Sequence, residues 1–350
     1  MKEDIKSLNL QELTTQIINL GLPKFRAEQV YSWLHKQNAE SFDEMTNLSK
    51  DLRLKLSEAY EIKNCEIVRK LESKIDDTKK YLFKLCDGEC IESVLMKYKY
   101  GYTVCVSSQV GCNMKCSFCA STIDGCVRNL HPSEILSQIY AIERDEDIRV
   151  SHIVLMGMGE PLDNYDNVLK FLELITDENG KNISARHISI STCGIVPKIY
   201  DLIKYHPQFT LSVSLHAPND EIRSRIMPVN KKWGVDELLA ACKEYTDATS
   251  RRISYEYAMM DGINDTDECA RELRAKLKGT LCHVNLIPAN EVRENDYKRS
   301  TMERLEAFSK ILEAGGITTT IRRSLGGDID ASCGQLRRNS RKEEKHDNIS

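Results

Sequence analysis

At 350 residues, with 41% hydrophobic and 29% charged residues and a net charge of −4, the chain can bury a large core and has the composition of an ordinary globular protein. No apolar run reaches the length of a bilayer span and the first residues lack the apolar core of a signal peptide, so a cytoplasmic protein without membrane contact is expected. Thirteen cysteines at irregular spacing argue against a secreted disulfide framework and for metal binding or redox chemistry in a reducing compartment, although most of the scattered ones need no role beyond that of a small buried hydrophobe.

Residues 8–20, 24–37 and 50–59 carry apolar side chains at helical spacing, broken at Ser41-Phe42-Asp43 and Asn47-Leu48-Ser49, and predict a small helical domain. Residues 79–84 and 91–99 then read as strands around an Asp87-Gly88-Glu89 turn. From about residue 100 the pattern becomes strand, loop, helix, repeated. Strands are predicted at 103–107, 152–156, 187–191, 210–215, 253–259, 283–287 and 318–322, and helices at 132–144, 165–175, 196–205, 235–246, 267–277 and 301–314. The helix predicted at 235–246 shows the logic: Val235, Leu238, Leu239, Cys242 and Tyr245 fall on one helical face, as a helix lying on a sheet requires. Strands separated by helices of this length mean βαβ units and a parallel sheet. Six units are fewer than the eight of a closed barrel, so the expected fold is α/β, a partial (β/α)6 barrel with a small N-terminal helical domain. The expected organisation is a helical accessory unit with connecting strands over 1–95, a core over 96–336 and a polar, basic tail over 337–350. Arg322, Arg323, Arg337, Arg338, Arg341, Lys342 and Lys345 crowd the C-terminal stretch, as a solvated tail or as a surface for phosphates.

Within the loop after the first core strand, Cys112, Cys116 and Cys119 have the spacing C-x3-C-x2-C, with Phe118 inside the last pair. Three thiolates this close suit a four-iron cluster with one iron left open, or three quarters of a zinc site completed by a distant ligand. Loops at the carboxyl ends of parallel strands are where ligands collect, which favours a working metal over a structural one. At the end of the next parallel strand the chain reads Gly159-Glu160-Pro161, where glycine admits close approach to the backbone and a carboxylate can accept from an amino group.

Together these two motifs resemble the radical S-adenosylmethionine (SAM) superfamily. Further matches are Cys105-Val106-Ser107-Ser108-Gln109-Val110-Gly111-Cys112, Arg128-Asn129-Leu130, Ser189-Ile190-Ser191-Thr192, Ser214-Leu215-His216-Ala217-Pro218, Asn285-Leu286-Ile287-Pro288-Ala289-Asn290 and 328–336, which contains Ser332-Cys333-Gly334. The set resembles the RlmN/Cfr family of RNA methyltransferases over nearly the whole chain. The resemblance implies a [4Fe–4S] cluster on Cys112, Cys116 and Cys119, and SAM contacted by Gly159, Glu160, Ser191, Ser214, Leu215, His216 and Asn290, with two SAM consumed per turnover. It implies Cys333 as an S-methylcysteine intermediate, Cys105 as a resolving thiol that forms a transient disulfide with Cys333, and Glu92 as proton acceptor. The implied substrates are 23S ribosomal RNA and transfer RNA, with methyl added to carbon 2 of adenosine; carbon 8 of the same ribosomal adenosine is the alternative. A flavodoxin-type electron donor and a monomeric protein are also implied. A zinc-stabilised RNA-binding protein without catalysis is the competing reading from a different class. The chain departs from the family pattern at Cys126, at Cys193 and at Glu291-Val292-Arg293.

Overall fold

A computed structural model describes residues 2–205, 208–290 and 296–336. Its N-terminal part holds helices α1 (Leu10–Asn19), α2 (Phe25–His35) and α3 (Lys50–Ala59), at the positions the apolar periodicity predicts. Helix α1 opens on a capping box in which Asn9 and Glu12 exchange side-chain-to-backbone hydrogen bonds, each 2.8 Å, satisfying two amides that the helix itself leaves unpaired.

Among the described residues ten strands form one sheet: β1 (Glu66–Glu72), β2 (Lys79–Lys84), β3 (Cys90–Tyr98), β4 (Gly101–Cys105), β5 (Val150–Leu155), β6 (Ile188–Thr192), β7 (Thr210–Ser214), β8 (Ile253–Met259), β9 (Cys282–Pro288) and β10 (Thr318–Ile321). Neighbours in sequence are neighbours in the sheet throughout. β1 to β4 pair antiparallel, and every pair from β4 to β10 is parallel. Six helices cross between the parallel strands: α4 (Pro132–Glu146), α5 (Tyr165–Thr176), α6 (Val196–Tyr205), α8 (Val235–Thr249), α9 (Asp267–Leu277) and α10 (Met302–Glu313). The short α7 (Asp220–Ile226) lies between β7 and α8. β1 and β10 do not pair, so the barrel stays open among the described residues, as six units should leave it.

The strands alternate between two environments. Ile188, Ile190, Leu211, Val213, Ile253 and Val284 are fully buried in the main core, each contributing about 1.5–3 kcal/mol of apolar burial. Their alternates, Ser191, Ser214 and Glu256, line the barrel's cleft. β1 is absent from the sequence-based expectation because its residues are exposed or half-buried on both faces and show no apolar alternation. α7 is absent because seven residues carry too little periodicity to be told from a loop.

The helical part seats on the core through buried polar groups. Lys6, 1% exposed, donates from Nζ to the Lys63 carbonyl, to Asn64 Oδ1 at 3.0 Å and to Ser137 Oγ on α4 at 2.8 Å. His35 Nδ1 meets the Tyr140 hydroxyl at 2.9 Å, and the Tyr31 hydroxyl donates to Asp177 at 2.9 Å. Among the described residues no helix is long and apolar enough to cross a membrane. The basic tail of 337–350 and Glu291-Val292-Arg293 lie outside the described residues.

Candidate functional site

A cleft of about 1050 Å³ opens at the carboxyl ends of the parallel strands. Cys112, Cys116, Cys119, Gly159, Glu160, Ser191, Ser214, His216, Asn290 and Cys333 all line it. The triplet hangs from a short hairpin pairing Gln109–Gly111 with Cys126–Asn129. Gly111 has φ +81°, and a Cβ there would fall 1.8 Å from the Gly125 carbonyl oxygen, so only glycine fits where the loop leaves the hairpin. The Cys112 N–H donates to the same Gly125 oxygen at 3.1 Å, and the Cys119 N–H to the Cys116 carbonyl at 3.1 Å.

Burial pushes the Cys112 thiol up to about 12 and the Cys116 and Cys119 thiols upward as well. Such thiols give up their protons to a metal rather than to water, and this suits ligands to a thiophilic cluster. Among the described residues no three His, Cys, Asp or Glu side chains converge tightly enough for a single ion. Three thiols, those of Cys112 and Cys116 on buried residues and that of Cys119 on a partly buried one, line one cleft, a donor set that fits an iron–sulfur cluster with one iron left without a protein ligand.

The Gly159-Glu160-Pro161 turn packs directly on the chain leading to the triplet. Gly159 has φ +103°, and a Cβ there would lie 2.6 Å from that of Gln109. Ser108 and Gln109 donate their N–H groups to the Met158 carbonyl at 2.8 and 3.2 Å, and the Glu160 N–H donates to Gln109 Oε1 at 2.8 Å. Asn164 Nδ2 donates to the Ser108 and Leu130 carbonyls, both at 2.8 Å, binding the Arg128-Asn129-Leu130 stretch into the same assembly. The Glu160 carboxylate accepts from the Leu162 N–H at 3.0 Å and the Cys193 N–H at 2.7 Å, while burial raises its pKa. It is a buried, fixed acceptor in the wall of the same cleft as the triplet.

His216 sits in the left-handed region at φ +56°, and its Nδ1 accepts from the Ala258 N–H at 2.9 Å. That bond puts the ring proton on Nε2. Burial, reinforced by the Arg223 cation, drives its pKa down to about 3, so the ring is a neutral donor. Phe118 meets it edge-on, centroids 4.9 Å apart, which gives the aromatic residue inside the triplet a packing role. Leu215 is placed differently: its side chain is fully buried in the core, it is not among the residues lining the cleft, and its N–H donates to the Glu256 carbonyl at 3.1 Å.

A second cavity of about 550 Å³ adjoins the first, and Met156, Ile287, Asn290, Arg322 and Cys333 line both. Cys105, at the end of β4, lines only this second one. Its thiol is pushed up to about 12 by burial, then by Cys333. Cys333 is brought in from the far end of the chain by four anchors. Ala120 N–H donates to the Gly334 carbonyl at 2.7 Å, Ser121 Oγ to the Leu336 carbonyl at 2.7 Å, Asn290 Nδ2 to the Cys333 carbonyl at 3.0 Å, and Lys80 Nζ to the Asp330 carbonyl at 3.2 Å. Both sulfurs are free thiols. Glu92 lines neither cavity. It is 3% exposed on β3, paired with Lys80 at 3.4 Å, two residues before the Val94 that faces Cys105 across the sheet.

Of the departures, Cys193 is buried in the cleft wall, whereas Cys126 is half-exposed at the start of the hairpin's second strand, paired with Gly111. Arg322 is not part of a solvated tail: it follows β10 into the cleft, and its ionisation is raised first by Cys333 despite burial. Glu256 lines the cleft and the fully buried Arg223 packs against the strand ends beside it; motif reading passes over both, since each stands alone in sequence and joins the site only through the fold.

Residues 106–273 match the family model of the radical SAM superfamily, and residues 3–62 match that of the ribosomal RNA large subunit methyltransferase N-terminal domain. The chain is 54% identical over 334 residues to the probable dual-specificity RNA methyltransferase RlmN of Lachnospira eligens, covering 95% of each protein. The chain belongs to the RlmN family of radical SAM RNA methyltransferases. The RlmN of Desulforamulus reducens, also described as probable, is 53% identical over 96% of both chains. The crystal structure of a radical SAM methyltransferase from Sphaerobacter thermophilus superimposes with a TM-score of 0.92 at 43% identity, covering 96% of this chain and 99% of that one. RlmN membership makes the chain an RNA-methylating enzyme, sets aside the zinc-stabilised binding protein, and implies a [4Fe–4S] cluster and SAM.

Proposed function

We propose that the enzyme adds a methyl group to carbon 2 of one adenosine of 23S ribosomal RNA and of the adenosine beside the anticodon in some transfer RNAs, through a methyl group carried on Cys333. The observation that carries this reading is the meeting of Cys105 and Cys333, 228 positions apart in the chain, at a cavity that opens into the triplet's cleft. An unactivated ring carbon is not a nucleophile, so a methyl group held on sulfur and activated there as a radical is what such a cavity serves.

The three-cysteine loop would hold the cluster, and Gly159, Glu160, Ser191, Ser214, His216 and Asn290 would hold SAM. Bound there, the cofactors supply an electrophilic methyl group and a 5′-deoxyadenosyl radical, one SAM for each. Cys333 loses its thiol proton and takes the methyl group on sulfur. After one hydrogen is removed from that methyl group, its carbon bonds to adenine carbon 2, and Cys333 then tethers the RNA. Glu92 accepts the ring proton, and the unpaired electron left on the ring departs to a one-electron acceptor, a role the oxidised cluster would be able to fill. Cys105 attacks the Cys333 sulfur; the S–S bond forms as the S–C bond breaks, and the released carbon takes up a proton to complete the methyl group. An external reductant restores the two thiols. A flavodoxin-type donor, a monomeric state and a cytoplasmic location complete the reading, with the helical N-terminal part and the basic tail of 337–350 contacting RNA.

Mass spectrometry of adenosines from ribosomal and transfer RNA, from cells with and without the gene, tests it. Gene-dependent 2-methyladenosine in both RNAs is expected; 8-methyladenosine would overturn the choice of carbon.

A further inference from the structure

Arg223 on α7 is the largest fully buried side chain among the described residues, and the chemistry above does not use it. Its Nε donates to the Leu215 carbonyl at 2.9 Å, Nη2 to the Cys193 carbonyl at 2.7 Å and the Ser214 carbonyl at 3.0 Å, and Nη1 to Asn230 Oδ1 at 3.0 Å. The three carbonyls lie at and just beyond the ends of β6 and β7, where Ser191, Ser214 and His216 enter the cleft. The other end of the same helix grips the triplet: the Ile226 carbonyl accepts from the Ser117 N–H at 2.9 Å and from its hydroxyl at 3.3 Å, between Cys116 and Cys119. One short helix thus ties the cysteine loop to the cofactor-facing strand ends.

The guanidinium makes no ion pair with a described carboxylate. Asp220 reaches it only through Asn230, whose Nδ2 donates to Asp220 Oδ1 at 2.9 Å. Burying a cation against neutral acceptors is costly, and apolar residues would fill the space more cheaply. Cys193 and Cys116 are the ionisable groups that most favour its charge, ahead of Cys242 and Asp220.

We infer that Arg223 is a positioning residue that sets the cysteine loop against the SAM-binding strand ends, and that its buried positive charge raises the reduction potential of the cluster held by that loop. The inference rests on the cluster reading of the triplet. Local net charge and hydrogen bonding are the protein's levers on such potentials, and a fixed cation in a low-dielectric wall favours the added electron.

Charge and fork geometry separate by substitution. The reduction midpoint of the anaerobic, cluster-loaded protein is titrated by electron paramagnetic resonance, and SAM affinity is measured by equilibrium dialysis. Arg223→Gln is expected to move the midpoint to more negative values. Asp220→Asn removes the nearest carboxylate and keeps its hydrogen bonds, so a smaller shift of opposite sign is expected. Arg223→Lys keeps the charge and loses the fork, so a near-parental midpoint is expected with SAM binding weakened about five-fold, the loss of roughly one hydrogen bond. An unshifted midpoint in Arg223→Gln, or shifts of one sign in both charge variants, overturns the inference. Should Arg223→Gln fail to fold, an unshifted midpoint in Asp220→Asn or parental SAM affinity in Arg223→Lys does so. A parent protein that binds no cluster at all defeats the cluster reading itself, a result distinct from any of these.

Discussion

The two outer cysteines differ in surroundings as much as in position. Cys105 is 7% exposed at a strand end, held within the sheet, whereas Cys333 is half-exposed on a loop and lines both cavities. A sulfur open to both cavities and a second one held in the sheet would suit the proposed transfer, with Cys333 as carrier and Cys105 as resolver. Cys105→Ala is therefore expected to methylate Cys333 and attack RNA but to stall as a covalent protein–RNA adduct, visible as a nuclease-sensitive shift on a denaturing gel. Cys333→Ala should give neither adduct nor transfer; transfer retained in that variant would remove Cys333 from the carrier role. The triplet and Gly159-Glu160-Pro161 were legible as chemistry because each is a local motif. Cys105, Cys333 and Glu92 needed the family resemblance, since a single cysteine on a strand or a single glutamate reads as packing or surface. Arg223 and Glu256 were not legible at all: their partners are backbone carbonyls and side chains from other strands, which no spacing records, and Arg322 was legible only as one of the basic residues of the C-terminal stretch.

At the scale of elements, the antiparallel strands β1 and β2 do more than widen the sheet. The turn between them receives the loop that precedes Cys333. Asp76 accepts the Gly326 N–H at 2.9 Å, and Asp328 accepts from Ser73 Oγ at 2.7 Å and the Lys74 N–H at 2.8 Å. The strand, loop, helix pattern predicted the parallel strands and their helices well because the strands are short, mostly buried runs, some alternating and some buried almost throughout, set between helices with one apolar face. It missed β1, whose value lies in this docking and not in burial. Asp76→Ala and Asp328→Ala should loosen the carrier loop while leaving the triplet and the SAM-facing strands untouched. The expected result is a several-fold fall in kcat for RNA methylation, with iron content and SAM affinity at parental values. Loss of iron in either variant would show that the loop and the triplet form one cooperative unit.

Across the whole molecule, the helical part and the barrel are joined at a buried seam that gives stability a defined pH dependence. His35 is fully buried, and its Nε2 has no hydrogen-bond partner. Burial lowers its pKa to about 3, with the Lys6 and Lys181 cations adding to the effect; His216 behaves alike inside the barrel. In the unfolded chain each imidazole takes up a proton near pH 6.5, whereas the folded chain refuses it until far lower pH. The unfolded state therefore binds more protons throughout that interval. Stability is fully present above pH 6.5 and falls as pH drops toward 3, by about 2 kcal/mol per histidine between pH 7 and pH 5. His35→Gln retains a group able to accept from the Tyr140 hydroxyl but cannot titrate. Urea unfolding at pH 7, 6 and 5 should show a loss of stability shallower than the parent's by that one histidine's share. Parallel pH curves for the two proteins would mean that the seam opens before the barrel unfolds, so that His35 is already solvated in the transition being measured.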